Sequence, residues 1–377
     1  RCLDSLNRVA AVDATGPLQV TITLTEPYAP LIGLLSDTVG MIPSPTAVAA
    51  AGADYGVEPV GTGPFVFVEQ VAGDRIEFAR NPDYWDGDKP YLDQLTFRAM
   101  PEGQARYAAV RAGDVDLVMN PRPADIVAAR DEDGLQTIDV GGLGTRFILF
   151  QTGTEPFTDV RARRAVAHAT DVDTLIETLF EGTVSATTTP FTDQMWAQSS
   201  PSTYPTYDLD EARRLVDELG GLSFTFNIDN RPETIELAQA LQGMWREAGI
   251  EAEIEPLEEL DNGTRVLERN FQASLFRWAG RADPDENVYR FFRSDGGVNW
   301  TGINDPELDA ALDAGRTGLT HEERVAAYAT VAEKLGEHVP YLFVHALNGT
   351  YITTDEVHGV PPVADWRLRT ADIWLDS

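Results

Sequence analysis

The sequence predicts an α/β protein of two lobes, and three observations predict it. The first third of the 377 residues alternates apolar and polar side chains with the period of half-buried strands. After residue 150 the rhythm becomes helix and strand in turn, the pattern that builds an α/β lobe. Two apolar strands, one ending near Phe150 and one spanning "VPYLFVHA" at 339–346, bracket that second region. Two strands passing between the same two lobes are the wiring of a hinge, because each lobe then turns as a body.

Taken in order, "LQVTITL" sets Leu18, Val20, Ile22 and Leu24 on one face of a strand, and "DRIEFAR" and "DQLTFRAM" repeat the pattern. "PVGTGPF" and "RNPDYWDG" separate them as turns. "EGQARYAAVRAGDVDLV" reads as a helix stopped near Gly113 and followed by a short strand. Past the boundary expected at Phe150 to Thr154, Thr170 or Asp171 caps a helix carrying Leu175, Ile176, Leu179 and Phe180, closed by Gly182. Leu222, Phe224, Phe226 and Ile228 mark a strand. Leu237, Leu241, Met244, Trp245 and Ala248 recur at helical spacing before Gly249, which places Trp245 in the core. "IEAEIEP" then alternates apolar residues with glutamates, a strand with one wet face. Thr320 and Glu323 form a capping box ahead of Val325, Tyr328, Ala332 and Leu335.

Composition excludes several function classes. The 61 acidic against 29 basic side chains leave a net charge of −32, which argues against nucleic acid or anionic lipid as partner. No apolar run approaches the ~20 residues of a membrane-spanning helix. Cys2 is the one cysteine, so neither a disulfide framework nor a thiolate metal site is available. It reads as a plain thiol or a lipid-anchor residue, and "RCLDS" lacks the apolar and small residues that precede an anchor. No signal peptide pattern opens the chain. The five histidines, at 168, 321, 338, 345 and 358, have no metal-ligand spacing, and His345 on its apolar strand reads as a core histidine. Nucleophile elbow, P-loop and dinucleotide fingerprints are all missing, and no cofactor is expected.

The segment "RWAGRADPD", 277–285, concentrates charge around a tryptophan. Asp283, Asp285 and Asn287 begin with calcium-loop spacing, but Val288 and Ser294 stand where that loop needs Gly and Glu. The two aspartates also suggest a cleft hydrolase, a weak signal in so acidic a chain. A ligand grip remains.

Several stretches together resemble one family. "EPVGTGPFVFVEQVAGDRIEFARNPDYWDGDKPYLDQLTF" is similar to the signature region of family 5 extracellular solute-binding proteins, the peptide-, nickel- and oligosaccharide-binding components of ABC importers. "FTDVRARRAVAHATDVDTLIETLFEG", "NWTGINDPELDAALDAG" and "ERVAAYATVAEKLGEHVPYLFVHA" continue the family's order of landmarks. The resemblance implies a two-lobed periplasmic-binding-protein type II clamshell with two hinge crossings. Residues 1–55 would be a remnant of the subdomain beside lobe 1, residues 56–151 and 344–377 lobe 1, and residues 152–343 lobe 2. The family's N-terminal portion is absent, so the chain is expected to be a fragment.

The same resemblance supplies candidate ligand contacts. Trp278 matches a cavity-lining tryptophan, and Arg281 stands where peptide-binding members place an aspartate for the α-ammonium, a reversal of charge. Asp283 is the substitute acid if the loop shifts. The simpler expectation for Arg281 is a surface pairing with Asp283 or Asp285. Arg231 sits where relatives receive a C-terminal carboxylate, a task suited to a planar fork. Its alternative is a helix-entry arginine facing water. Trp300 and Asn299, in "GGVNWTG", and Trp196, in "FTDQMWAQ", occupy cavity-bordering loops, with Trp300 placed to stack on a planar or sugar face. Phe150 and Gln151 are candidate floor contacts, and Trp85 is expected to anchor a lobe. The implied function is an extracytoplasmic, non-enzymatic binding protein, lipid-anchored when full length and monomeric, that passes a peptide or peptide-like solute to an ABC permease. The alternatives are an oligosaccharide or anionic organic solute, a hydrolase using Asp283 and Asp285, or a receptor reporting to a membrane sensor. Metal would enter only as a ligand complex.

Overall fold

A computed structural model describes residues 6–365 and 367–376; Cys2 lies outside them. The chain opens with a hairpin of β1 (Val9–Gly16) and β2 (Gln19–Leu24), paired antiparallel, and the short helix α1 (Leu31–Leu35). Leu18 and Val20 stay exposed on this hairpin, so the half-buried face expected there is only partly covered. Helix α2 (Pro45–Ala51) follows, then the antiparallel meander β3 (Phe65–Val71), β4 (Arg75–Arg80) and β5 (Gln94–Arg98). Next come α3 (Gly103–Ala112), β6 (Leu117–Met119), α4 (Pro123–Arg130) and β7 (Leu135–Gly141). Gly113 ends α3 in the left-handed region, as the sequence predicts.

From β8 (Thr145–Phe150) the chain alternates: α5 (Val160–His168), α6 (Val172–Thr178), α7 (Leu209–Leu219), β9 (Leu222–Asp229), α8 (Pro232–Glu247) and β10 (Ile250–Leu257). It continues through α9 (Glu259–Leu267), β11 (Ala273–Trp278), α10 (Asp285–Phe292), α11 (Pro306–Thr317), α12 (His321–His338) and β12 (Tyr341–Ala346). The return segment holds β13 (Gly349–Thr354) and the two-residue strands β14 (Val357–His358) and β15 (Trp374–Leu375).

Two compact units result. The first joins the residues up to Leu35 with Gly142–Leu347, and the second joins Ser36–Gly141 with the residues from Asn348. The chain thus passes between units at three points. The expected boundaries at 151/152 and 343/344 fall elsewhere: β8 and β12 lie side by side inside the first unit, and the crossings come at their outer ends. Burial explains this, since all six residues of each strand are buried and hydrogen-bonded in one sheet. The early segment joins the first unit rather than the second because Tyr28 and Leu34 are buried there. Ala29 N–H donates to Arg316 O at 3.1 Å, and the Arg316 guanidinium lies 5.4 Å from the Tyr28 ring centre.

The first unit is built on a five-stranded mixed sheet of order β10-β9-β11-β8-β12. Parallel β9 and β10 require a crossover, which α8 provides. Its Trp245 is fully buried against Phe224 and Phe226 and donates its indole N–H to Thr170 Oγ at 2.9 Å. A truncation of such a residue to alanine typically costs about 3–5 kcal/mol. With Thr170 so engaged, Asp171 supplies the cap of α6. At the sheet edge, β10 exposes Glu251 and Glu253, charges that discourage further strand pairing. Thr320 and Glu323 form the expected capping box on α12. In the second unit β13 inserts between β6 and β7, and Val110, Val118, Ala129 and Ile352 form its core. Trp85 does not anchor this unit as expected: 78% of it is exposed.

Candidate functional site

Strands β9, β10 and β11 run parallel, so Asp229, Leu257 and Trp278 finish along one edge of the sheet. Antiparallel pairing brings Thr145, the first residue of β8, opposite Trp278, and Ala346, the last of β12, opposite Thr145. Carboxyl ends of parallel strands are where ligands bind in open α/β sheets. Here the sequence-predicted residues Trp278, Arg281, Asp283 and Arg231 gather on this edge or in the loops leaving it. Phe150 pairs with Ala273 at the far end of β8, about 17 Å away by strand rise. It is not part of the same constellation, and its ring is fully buried against Phe157.

The loop after Trp278 is fixed by a backbone crossing and by one asparagine. A Cβ on Gly144 would lie 2.1 Å from Trp278 O, and one on Gly280, at φ +77°, would lie 2.0 Å from Leu143 O. Two segments of the chain therefore pass at a distance only glycine permits. Buried Asn287 accepts from Trp278 Nε1 at 2.9 Å and from Arg281 N at 2.8 Å, and its amide donates to Arg281 O at 2.8 Å. The Arg281 guanidinium packs 5.2 Å from the Trp278 ring centre and donates to Gly280 O at 2.8 Å. Trp278 meets Phe291 edge to face at 4.8 Å. The aromatic and the cation are thus presented together.

The aspartates of this segment do different work. Asp283 accepts from Asp285 N at 3.0 Å and pairs with Arg324 Nη2 at 2.6 Å. Asp285 is fully buried and receives the Arg316 fork, with Nη2 at 2.6 Å and Nε at 3.0 Å. Burial pushes the Asp285 carboxyl up to about 6, with the guanidinium opposing the shift. Asp283, the substitute acid expected from the sequence, has its Oδ1 already engaged by Arg324. The burial of Asp285 and its engagement by Arg316 do not favour the hydrolase reading. Trp196 joins the group through Arg324, whose guanidinium lies 4.9 Å from its ring centre, and 37% of Trp196 remains exposed.

Arg231 enters α8 with its fork already engaged, Nε and Nη2 each 2.8 Å from an Asp229 oxygen. Burial alone would raise the Asp229 carboxyl, but hydrogen bonds from Arg231 and Thr234 outweigh it and hold it at about 2. Beside this pair lies Arg146 of β8, a residue the sequence reading passed over. It is buried, and its Nη2 donates to Thr234 Oγ at 3.2 Å. Desolvation draws its guanidinium down to about 10. Its strand neighbours are Arg277, paired with Glu259 at 3.2 Å, and His345. His345 is buried as expected, its Nδ1 2.7 Å from Ala346 O, and burial lowers it to about 4.

Trp300, Asn299 and Gln151 are each engaged by the structure around them. Asn299 donates to Ile303 O at 2.8 Å and accepts from Gly302 N at 3.0 Å, closing the 296–303 loop on itself. Trp300 is 8% exposed, edge-on to Phe276 and Phe291, which leaves no open face for stacking on a sugar. Gln151 donates to Trp300 O at 3.1 Å and accepts from Gly153 N at 3.1 Å. Among the described residues no cluster of three or more His, Cys, Asp or Glu is placed to hold a metal, and no helix is long and apolar enough to cross a membrane.

Comparison with known families decides the kinship. The family described as bacterial extracellular solute-binding proteins, family 5 Middle, matches residues 3–300, well over half the chain. The chain belongs to that family. This family 5 chain is 30% identical over 297 residues to heme-binding protein A of Haemophilus influenzae, covering 75% of this chain and 54% of the relative. It is 28% identical over 369 residues to a probable di/tripeptide-binding protein 5 of Pseudomonas aeruginosa, covering 93% of this chain and 69% of that protein. The chain thus spans about half the length of the first relative. A solved structure of the periplasmic binding protein DppA from Helicobacter pylori, in complex with the peptide STSA, shares the fold. Its TM-score is 0.86 at 22% identity, over 100% of this chain and 76% of that one. The α/β, periplasmic-binding-protein fold expected from the sequence is the fold observed.

Proposed function

We propose that this family 5 chain is the solute-capturing component of an ABC importer, binding a peptide or peptide-like solute and passing it unchanged to a transmembrane permease outside the cytoplasm. The observation that carries the proposal is the preorganised loop at the carboxyl edge of the sheet. Trp278 and Arg281 are held side by side by Asn287 and by the Gly144–Gly280 crossing. Fixed aromatic and charged groups of this kind lose little freedom on binding, which is what a transport receptor needs. Peptide-binding relatives support the choice of solute class. The protein acts as a monomer, and the pairing of both aspartates with arginines favours binding over hydrolysis.

The test is calorimetric titration of the purified chain with di-, tri- and tetrapeptides, followed by mass spectrometry of the recovered peptide. Saturable one-to-one binding with intact peptide is expected, and light scattering should give the monomer mass. Cleaved peptide would make the protein a hydrolase. Saturation by oligosaccharides and by no peptide would move the solute class.

A further inference from the structure

The strand "TRFILF" is buried at every position, yet its second residue is an arginine. Arg146 keeps 8% of its accessible surface, and its Nε has no hydrogen-bond partner among the described residues. An unpartnered N–H on a buried cation costs more than a neutral one, because a whole charge is withheld from water. Around it stand Arg231 and Arg277, whose nearest carboxylates are Asp229 and Glu259. The Asp229 carboxylate is gripped by the Arg231 fork at 2.8 Å on both oxygens, and Glu259 takes Arg277. Glu233 lies a further 3.9 Å from Arg231 Nε, so Arg231 and Arg277 share three carboxylates, and the one guanidinium of the three without an ion pair among the described residues is the buried Arg146. Arg146 also adjoins Thr145, the residue opposite Trp278 in the sheet.

We propose that Arg146 is a specificity-determining contact for an anionic group of the solute, a carboxylate that accepts from its Nε and supplies the ion pair that Arg146, unlike Arg231 and Arg277, lacks among the described residues. The inference rests on the capture function proposed above and names its solute class: acidic peptides, or organic acids of similar reach. Arg146 acts here as a selector. A solute without a carboxylate leaves the Nε unpaired in the complex, so it is rejected by the desolvation it fails to repay. The carboxylate assigned here is that of an acidic side chain; the peptide's own C-terminus presents the same chemistry and is the source the probes separate from it.

The experiment uses the full 377-residue chain and four probes: the peptides Ala-Glu-Ala, Ala-Gln-Ala and C-terminally amidated Ala-Gln-Ala, and the dicarboxylate glutarate. Each is titrated into wild type, Arg146→Met and Arg146→Lys. Wild type should bind the best carboxylate-bearing peptide about 10- to 100-fold more tightly than the amidated neutral one. Arg146→Met should abolish that ratio, weakening the carboxylate-bearing peptides and tightening the amidated one, which no longer leaves a buried cation unpaired, and the lysine variant should restore only part of the ratio. A further gain from Ala-Glu-Ala over Ala-Gln-Ala supports the acidic side chain, whereas a gain from Ala-Gln-Ala alone assigns the terminal carboxylate and overturns the acidic-peptide class. Equal binding of all three peptides by wild type overturns the acidic preference and leaves peptide capture standing, even if neither variant folds. Glutarate binding that depends on Arg146, with no peptide bound, keeps the anion site and removes the peptide reading. Binding of no probe overturns both.

Discussion

Replacing Asn287 by alanine tests whether the site loop is held by one side chain. The asparagine makes three short bonds within a span of nine residues: it accepts from Trp278 Nε1 at 2.9 Å and Arg281 N at 2.8 Å, and donates to Arg281 O at 2.8 Å. Truncation strands two donors and an acceptor. A buried group left without its partner costs roughly 1–3 kcal/mol, and the half-buried setting of Trp278 and Arg281 lets water recover part of that. About 1 kcal/mol per lost bond gives roughly 3 kcal/mol in total. For a unit of this size each kcal/mol moves the melting temperature by about 2–4 °C, so a fall of about 6–12 °C is expected. Differential scanning calorimetry measures it, with near-ultraviolet circular dichroism reporting the loss of a fixed Trp278. Alanine at Asn270, an exposed asparagine, is the control and should change little. If Asn287→Ala unfolds within 0.5 kcal/mol of wild type by the criterion used for surface changes, the glycine crossing alone positions the loop and the account of Asn287 is wrong.

Two further outcomes follow from the charged groups. Asp229 is held at about 2 in the folded state against about 3.9 in an unfolded chain. Its folded value is depressed, so its stabilisation is complete above about pH 4 and disappears as pH falls through about 2, worth about 2 kcal/mol. Urea unfolding of wild type and Asp229→Asn should therefore differ by less at about pH 2 than at about pH 5, and a gap that widens on acidification would contradict the assignment. Asp285→Asn should cost about 3–5 kcal/mol by leaving the buried Arg316 guanidinium without its counter-charge, whereas Asp285→Leu with Arg316→Met should recover most of that loss. Denaturant midpoints decide the matter, and a double variant as unstable as the single one would show that packing, not charge, is at stake.

The parts of this fold that were legible are those whose information is periodic. The alternation of β9 and β10 and the helical spacing around Trp245 each depend on neighbours within a few residues, so they could be read along the chain. The candidate site depends on partners far away in sequence. Nothing in "RADPD" says that Arg324 and Arg316, 41 and 31 residues on, would take up the two aspartates. The surroundings of Asn299 and Trp300 were not legible for the opposite reason. A Gly-rich loop looks open in sequence, while here it folds back on the Asn299 amide and hides the indole between two phenylalanines. Arg146 did leave a signal, a lone charge in an otherwise apolar strand, which is the pattern of a group buried for a reason.

The overall charge and the local charge of this protein point in opposite directions, and distance reconciles them. A net −32 describes the field far from the surface, and physiological salt screens exposed charges beyond about 8 Å. Whatever the acidic surface does, it acts on solubility and on the approach of solute. Inside the sheet edge the balance is local: Arg231 and Arg277 are met by Asp229, Glu233 and Glu259, and Arg146 is the guanidinium left without an ion pair among the described residues. At 4 Å and the effective dielectric of a partly buried site, one opposite charge is worth about 4 kcal/mol before desolvation is subtracted. An acidic solute would therefore approach against a weak, screened repulsion and meet a strong, short-range attraction only on entering the site. Affinity for such a solute should depend little on the surface acids and heavily on one buried guanidinium.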